Sequence, residues 1–132
     1  MTVAGLITVD SRFDADATIQ RLIRALEAKG ITIFARVDHA AGASSVGQAL
    51  RPTTLVMFGN PAAGTPLMQA AQTAGIDLPL KALVWQDADG AVRLSYNDPG
   101  WIAERHAIAA HPAIGAMTAA LAALAQQATS GD

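Results

Sequence analysis

Chemistry in this chain of 132 residues concentrates in a loop, a strand and a turn. The loop is Gly59-Asn60-Pro61-Ala62-Ala63-Gly64-Thr65, between an apolar run and a helix start. Helix N-termini collect free backbone N–H groups and partial positive charge, so anions bind there. With Thr65 as the expected N-cap and Pro66 as the first helical residue, Asn60, Gly64 and Thr65 become candidate ligand contacts. No lysine follows the second glycine, so this is not a Walker loop. A tight turn closed by a capped helix is the plainer alternative.

The strand carries Lys81, set between Leu80 and Ala82. A desolvated lysine holds its proton less tightly and can act as a base or a Schiff-base nucleophile. A lysine at a strand end can equally run its ammonium out to water. Lys81, Leu83 and Trp85 share one face by the period of two, a mix that fits a ligand pocket or an interface better than a sealed core. Tyr96, on the next strand, offers an oriented hydroxyl. The turn carries His39 after Asp38, a second candidate base. No His-x-x-x-His pair exists on one helix, so spacing gives no support to a metal site, even one joining His39 and His106. Ser44, Ser45 and Ser95 lack a nucleophile-elbow context. No Gly-x-Gly-x-x-Gly occurs, so nothing marks a dinucleotide enzyme. Asp98 before Pro99 reads as a helix cap.

These residues need elements to hold them. Leu6–Val9 reads as a strand. Asp14 or Asp16 can cap a helix in which Ile19, Leu22, Ile23 and Leu26 form one apolar face, ended by Gly30. Ile31–Val37 alternates with Ile31, Ile33, Ala35 and Val37 on one side, so strand, helix, strand makes a βαβ unit. Ser44 or Ser45 would open a short helix through Leu50. Thr54–Phe58 is apolar on both faces and belongs in the centre of a sheet. Thr65 and Pro66 would open a helix ended by Gly75. Leu80–Gln86 and Val92–Tyr96 flank a hairpin turn with Gly90 at positive φ. Asp98-Pro99 opens a helix through His106. Pro112 opens the last one, whose stripe is Ile114, Met117, Leu121 and Leu124. The order implies an α+β fold: a two-layer α/β sandwich, with a mixed five-stranded sheet and helices mainly on one face.

Several of these segments, in order, are similar to the domain of unknown function 302 family. They are Asp38-His39-Ala40-Ala41-Gly42-Ala43, Leu50–Leu55, Phe58-Gly59-Asn60-Pro61, Gly64-Thr65-Pro66-Leu67-Met68, Leu78–Trp85, and Tyr96-Asn97-Asp98-Pro99 with Arg105-His106. The resemblance runs from about Ser11 to His106. It implies a compact two-layer domain, commonly dimeric, with no established activity. Members often carry a lysine after Asn-Pro, where this chain has Ala62 and Ala63, which weakens any phosphate or carboxylate role for the loop.

Composition sets the outer limits. Nine Lys and Arg against eleven Asp and Glu give a net charge of -2, without the basic excess of a nucleic-acid binder. There are no cysteines, which removes disulfides, thiolate metal sites and cysteine nucleophiles. Ala107–Thr129 lacks charge but is mostly alanine with polar interruptions, so no membrane span is expected. The reading is one domain over residues 1–132, with its core about 5–125 and a frayed tail at 129–132. It is expected to be a cytoplasmic homodimer that binds a small molecule or anion, without cofactor or metal. His39, Asn60, Gly64, Thr65, Lys81 and Tyr96 are the ligand contacts, with Lys81 as counter-charge. The alternatives are a small-substrate enzyme with Lys81 or His39 as general base, and a protein-interaction module using an open sheet face.

Overall fold

The computed structural model describes residues 2–131. Among them run five strands and five α-helices. These are β1 (Leu6–Asp10), α1 (Ala15–Ala28), β2 (Thr32–Asp38), α2 (His39–Ser45), β3 (Thr53–Gly59), α3 (Pro61–Ala70), β4 (Leu80–Gln86), β5 (Val92–Asn97), α4 (Pro99–Arg105) and α5 (Pro112–Thr129). A 3-10 turn, Gln72–Ile76, follows α3.

The strand order is β1-β5-β4-β3-β2, and every neighbouring pair is antiparallel. The α+β two-layer class holds, but the sheet is not mixed. β1 and β2 lie at opposite edges, so the expected parallel βαβ unit does not form. Helix α1 instead carries the chain across the sheet. A βαβ reading follows from element order alone, and element order does not say which strands pair.

Helix α1 forms where the pattern placed it. Asp14 Oδ1 accepts from Ala17 N at 2.8 Å, and Ile19, Leu22, Ala25 and Leu26 are buried. They meet Leu121, Leu124, Ala125 and Ala128 of α5 over the sheet residues Val56, Phe58, Val84 and Leu94. Alanines at the α1–α5 seam let the two backbones approach closely. Truncating a core residue such as Leu22 to Ala would cost about 2–5 kcal/mol.

The pleat sends Ala82, Val84, Val92, Leu94 and Tyr96 into this core. The opposite face carries Leu55, Met57, Lys81, Leu83 and Trp85, all half-buried. Thr8, Ser95 and Trp85 are linked there: Trp85 Nε1 donates to Ser95 Oγ at 2.9 Å, and Ser95 Oγ lies 2.8 Å from Thr8 Oγ1.

Four local expectations change. A register shift between Ile33 and Ala35 leaves Ile33 opposite Phe58 on the core side, while Ala35 and Val37 pair with Met57 and Leu55 on the other. The strict alternation read for this strand therefore breaks at the bulge. Helix α2 begins at His39, capped by Asp38, because Asp38 Oδ1 reaches Ala41 N before Ser44 is reached. Helix α3 begins at Pro61, capped by Asn60, so Thr65 and Pro66 are interior residues. Thr129 is not frayed: it ends α5, is buried, and its carbonyl accepts from Arg12 N at 2.8 Å. Arg21 ties down this end of the chain by donating to the carbonyls of Gln127, within α5, and Gly131, just beyond it. Asp132 lies outside the described residues.

Candidate functional site

Two hollows and one hydrogen-bonded cluster hold the chemistry. The larger hollow, about 260 Å³, opens where β3 ends and α3 begins. The end of β3 and the first turns of α3 supply Gly59, Asn60, Pro61, Ala63, Gly64 and Thr65. The remaining wall is Phe34, Met68, Leu78, Pro79, Leu80 and Met117. Phe34 reaches it because the β2 bulge falls at that residue. Met117 comes from α5, so the hollow is closed by elements distant in sequence.

The helix start at this hollow is chemically spent. Pro61 has no N–H, and Ala62 N donates to Asn60 Oδ1 at 2.9 Å. Ala63 N and Gly64 N both donate to Asn60 O, at 2.9 and 3.1 Å. Asn60, through its side-chain and main-chain oxygens together, takes up the donors an anion would need. No charged residue borders the hollow.

The smaller hollow, about 120 Å³, lies on the sheet face away from α1 and α5. Lys81, Ser95 and Asn97 border it among Leu6, Leu55 and Leu83. Burial pushes the Lys81 ammonium below its ordinary pKa, and the neighbouring Asp77 charge partly offsets this. Lys81 Nζ donates to the Asp77 carbonyl at 3.1 Å. Tyr96 also borders this hollow, but it is 6% exposed and belongs to the core. Burial, with the Asp98 carboxylate nearby, raises its phenol.

The structure therefore divides the expected contacts. Asn60, Gly64 and Thr65 come together, Lys81 and Tyr96 meet elsewhere, and His39 borders neither hollow. His39 is exposed at the first position of α2.

The cluster centres on Asp77, which the sequence did not single out. His106 Nε2 lies 2.5 Å from Asp77 Oδ2, and Arg105 Nη1 donates to both carboxylate oxygens at 2.8 and 2.9 Å. His106 Nδ1 lies 2.9 Å from Thr73 Oγ1. In the neutral imidazole, Nε2–H faces the carboxylate, which leaves Nδ1 to accept the threonine hydroxyl. Burial acts to raise the Asp77 carboxyl. The His106 hydrogen bond and the Arg105 charge outweigh it and hold the group below the usual carboxylate value. Twenty-eight residues separate Asp77 from Arg105, and no spacing rule joins them. The C-terminal position of His106 on α4 was the one available signal, and its partner proves to be a side chain.

Comparison with known proteins adds three findings. A family model described as "Domain of unknown function DUF302" matches residues 7–125. The "Fluoride-specific ion channel FluC 1" proteins of Brucella suis and Brucella abortus are 49% identical over 105 residues, 80% of this chain. The match covers 41% and 39% of those proteins, so the chain spans about two-fifths of the curated relatives' length. The crystal structure of an uncharacterized conserved DUF302 protein from Bacillus stearothermophilus superposes with a TM-score of 0.82, at 19% identity, over 96% of this chain and 99% of that one. That likeness establishes the shared fold.

Proposed function

Since the chain belongs to the DUF302 family, whose description carries no activity, its role must be read from its own surfaces, and we propose that it is a homodimeric domain that binds a small molecule. The observation that carries this reading is the 260 Å³ hollow beside α3, walled by residues of β2, β3, α3, β4 and α5 and bordered by Asn60, Gly64 and Thr65. Ligand sites are typically concave and mostly apolar, with a few placed polar groups. Protein purified under native conditions, then denatured and extracted, should release a small molecule in stoichiometric amount by mass spectrometry. A clean extract, together with no thermal shift from a broad compound library, would count against the reading.

A small anion is the second reading, and the Lys81 hollow supports it. Lys81, Ser95 and Asn97 offer a cation and two hydrogen-bonding groups in about 120 Å³. Phosphate, sulfate or acetate would then raise the melting temperature, and Lys81→Met would remove the rise. Catalysis with Lys81 or His39 as general base has less support. Lys81 Nζ is engaged by the Asp77 carbonyl, and His39 borders neither hollow.

The dimer reading rests on the face carrying Leu55, Met57, Leu83 and Trp85. A twofold partner would present the same apolar row to it, and C₂ pairing is the commonest closed assembly. Among the described residues no helix is long and apolar enough to cross a membrane. We place this domain in the cytoplasm, a location that cell fractionation would test.

A further inference from the structure

We propose that the hollow beside α3 is a site for a neutral, flat aromatic molecule of two-ring size that carries one hydrogen-bonding group. The proposal rests on the small-molecule reading above and adds the class of ligand.

Charge comes first. The bordering residues include no acid, base or histidine. The helix N–H groups that would hold an anion are donated to Asn60 already, at 2.9 to 3.1 Å. An ionised ligand would lose its hydration there and gain neither a counter-ion nor free amide donors, which is costly. A neutral molecule loses far less.

Shape comes next. Met68 and Met117 bring thioethers, and Phe34 brings a ring to the same space. Sulfur–aromatic contacts are favourable, and methionine adapts to irregular outlines. A cavity of about 150 Å³ lined by apolar side chains holds benzene. The hollow here is about 260 Å³, which leaves room for a second fused ring.

Polarity gives the orientation. Asn60 Oδ1 is used by the helix cap, which leaves its Nδ2 as donor. Thr65 contributes a hydroxyl that makes no side-chain hydrogen bond among the described residues. Both lie at the cap and first turns of α3, so a ligand hydroxyl or amine would point there while the rings meet Met68, Leu78 and Met117.

The test uses the full chain and 1-naphthol, with 1-naphthoate and inorganic phosphate as charged comparators, followed by calorimetry and naphthol fluorescence. Saturable micromolar binding of 1-naphthol is expected, with 1-naphthoate at least about tenfold weaker. Gly64→Leu should remove naphthol binding. A Cβ at Gly64 would sit 3.7 Å from Leu78 and 3.9 Å from Met68, ordinary contact distances, so the longer side chain extends into the hollow without breaking the helix. Its melting temperature should match or exceed the parent's. Thr65→Val should weaken naphthol severalfold and leave naphthalene unchanged. Naphthoate binding that equals or exceeds naphthol binding, and is lost in Gly64→Leu, would overturn the ligand class while leaving the site. Naphthol binding that survives Gly64→Leu would place the ligand elsewhere and overturn the site. No binding by any probe would overturn the aromatic class, and the native extract then decides the broader reading.

Discussion

His106 and Asp77 are joined at 2.5 Å between Nε2 and Oδ2, both nearly buried, and the contact fastens the end of α4 to the approach to β4. Arg105 reaches the same carboxylate from the adjacent position. Thr73 orients the other imidazole nitrogen. This small network links two segments that share few other polar ties, so its removal should be visible as global stability.

Asp77→Asn is expected to lower stability at pH 7 by about 1–3 kcal/mol, the range for hydrogen bonds to charged groups. The folded-state carboxyl lies below its unfolded value of about 3.9. Its contribution is therefore present above that value and is lost as the pH falls through the folded value. Urea midpoints for parent and variant should converge on acidification below about pH 4. A gap that stays constant down to pH 2.5 would show that the charge is not the source.

Lys81→Met should behave in the opposite sense. The folded-state ammonium titrates below its ordinary value, so below that folded-state value the fold carries the cost of desolvating a charge. That cost disappears as the pH rises through the folded value towards about 10.4. The variant is expected to match or slightly exceed the parent at pH 7, by no more than about 1 kcal/mol, with the difference closing by pH 10. Guanidinium titrations at three pH values would read this. A variant that is much less stable at pH 7 would mean that the Asp77 carbonyl contact outweighs desolvation.

Gly5 and Gly30 both have positive φ, +73° and +68°, yet substitution should separate them. A Cβ at Gly30 meets nothing within 4 Å, so Gly30→Ala should cost only the left-handed strain of about 1–2 kcal/mol. A Cβ at Gly5 would overlap the Trp101 indole, so Gly5→Ala must also displace that ring. It should cost at least about 1 kcal/mol more than Gly30→Ala. Near-ultraviolet circular dichroism should change in Gly5→Ala alone. Equal melting temperatures for the two variants would contradict the packing.

The apolar sheet face predicts the assembly. Light scattering at micromolar concentration should give twice 13.6 kDa. Leu83→Glu should move the mass towards one chain, because it puts a carboxylate beside Leu55. Trp85→Glu should do the same with some loss of stability, since the Trp85 Nε1 bond to Ser95 is also lost. A parent that remains one chain across that range would end the dimer reading.

Local signals were legible wherever one rule decides. Asp14 and Asp98 cap helices, Gly90 turns a hairpin, and the faces of β4 and β5 alternate as the period of two requires. Local rules do not decide where two local solutions compete. Asn60-Pro61 and Thr65-Pro66 both spell a helix start, and the first wins because Asn60 can bond Ala62 N as soon as β3 ends. The bulge in β2 leaves no composition mark, so Phe34 could not be placed at a site. Strand pairing and the Asp77–His106 contact depend on chain that is distant in sequence, which periodicity does not encode. Asn60, Gly64 and Thr65 read as neighbours because they are close in sequence, but only the sheet order separates them from Lys81 and Tyr96.

The edge position of β1 sets an order of events for the newly made chain. Strands β3, β4 and β5 are consecutive neighbours, and the β4–β5 hairpin needs only a short turn. Those pairings can form as soon as that segment exists. β1, although made first, pairs with β5, so Ile7 must wait for Tyr96. α1 likewise has no α5 to lie against until Pro112–Thr129 has been made. Closing such long loops costs entropy before any contact compensates it. β1 and α1 are thus the late arrivals: made before β5 and α5, they find their places only after them.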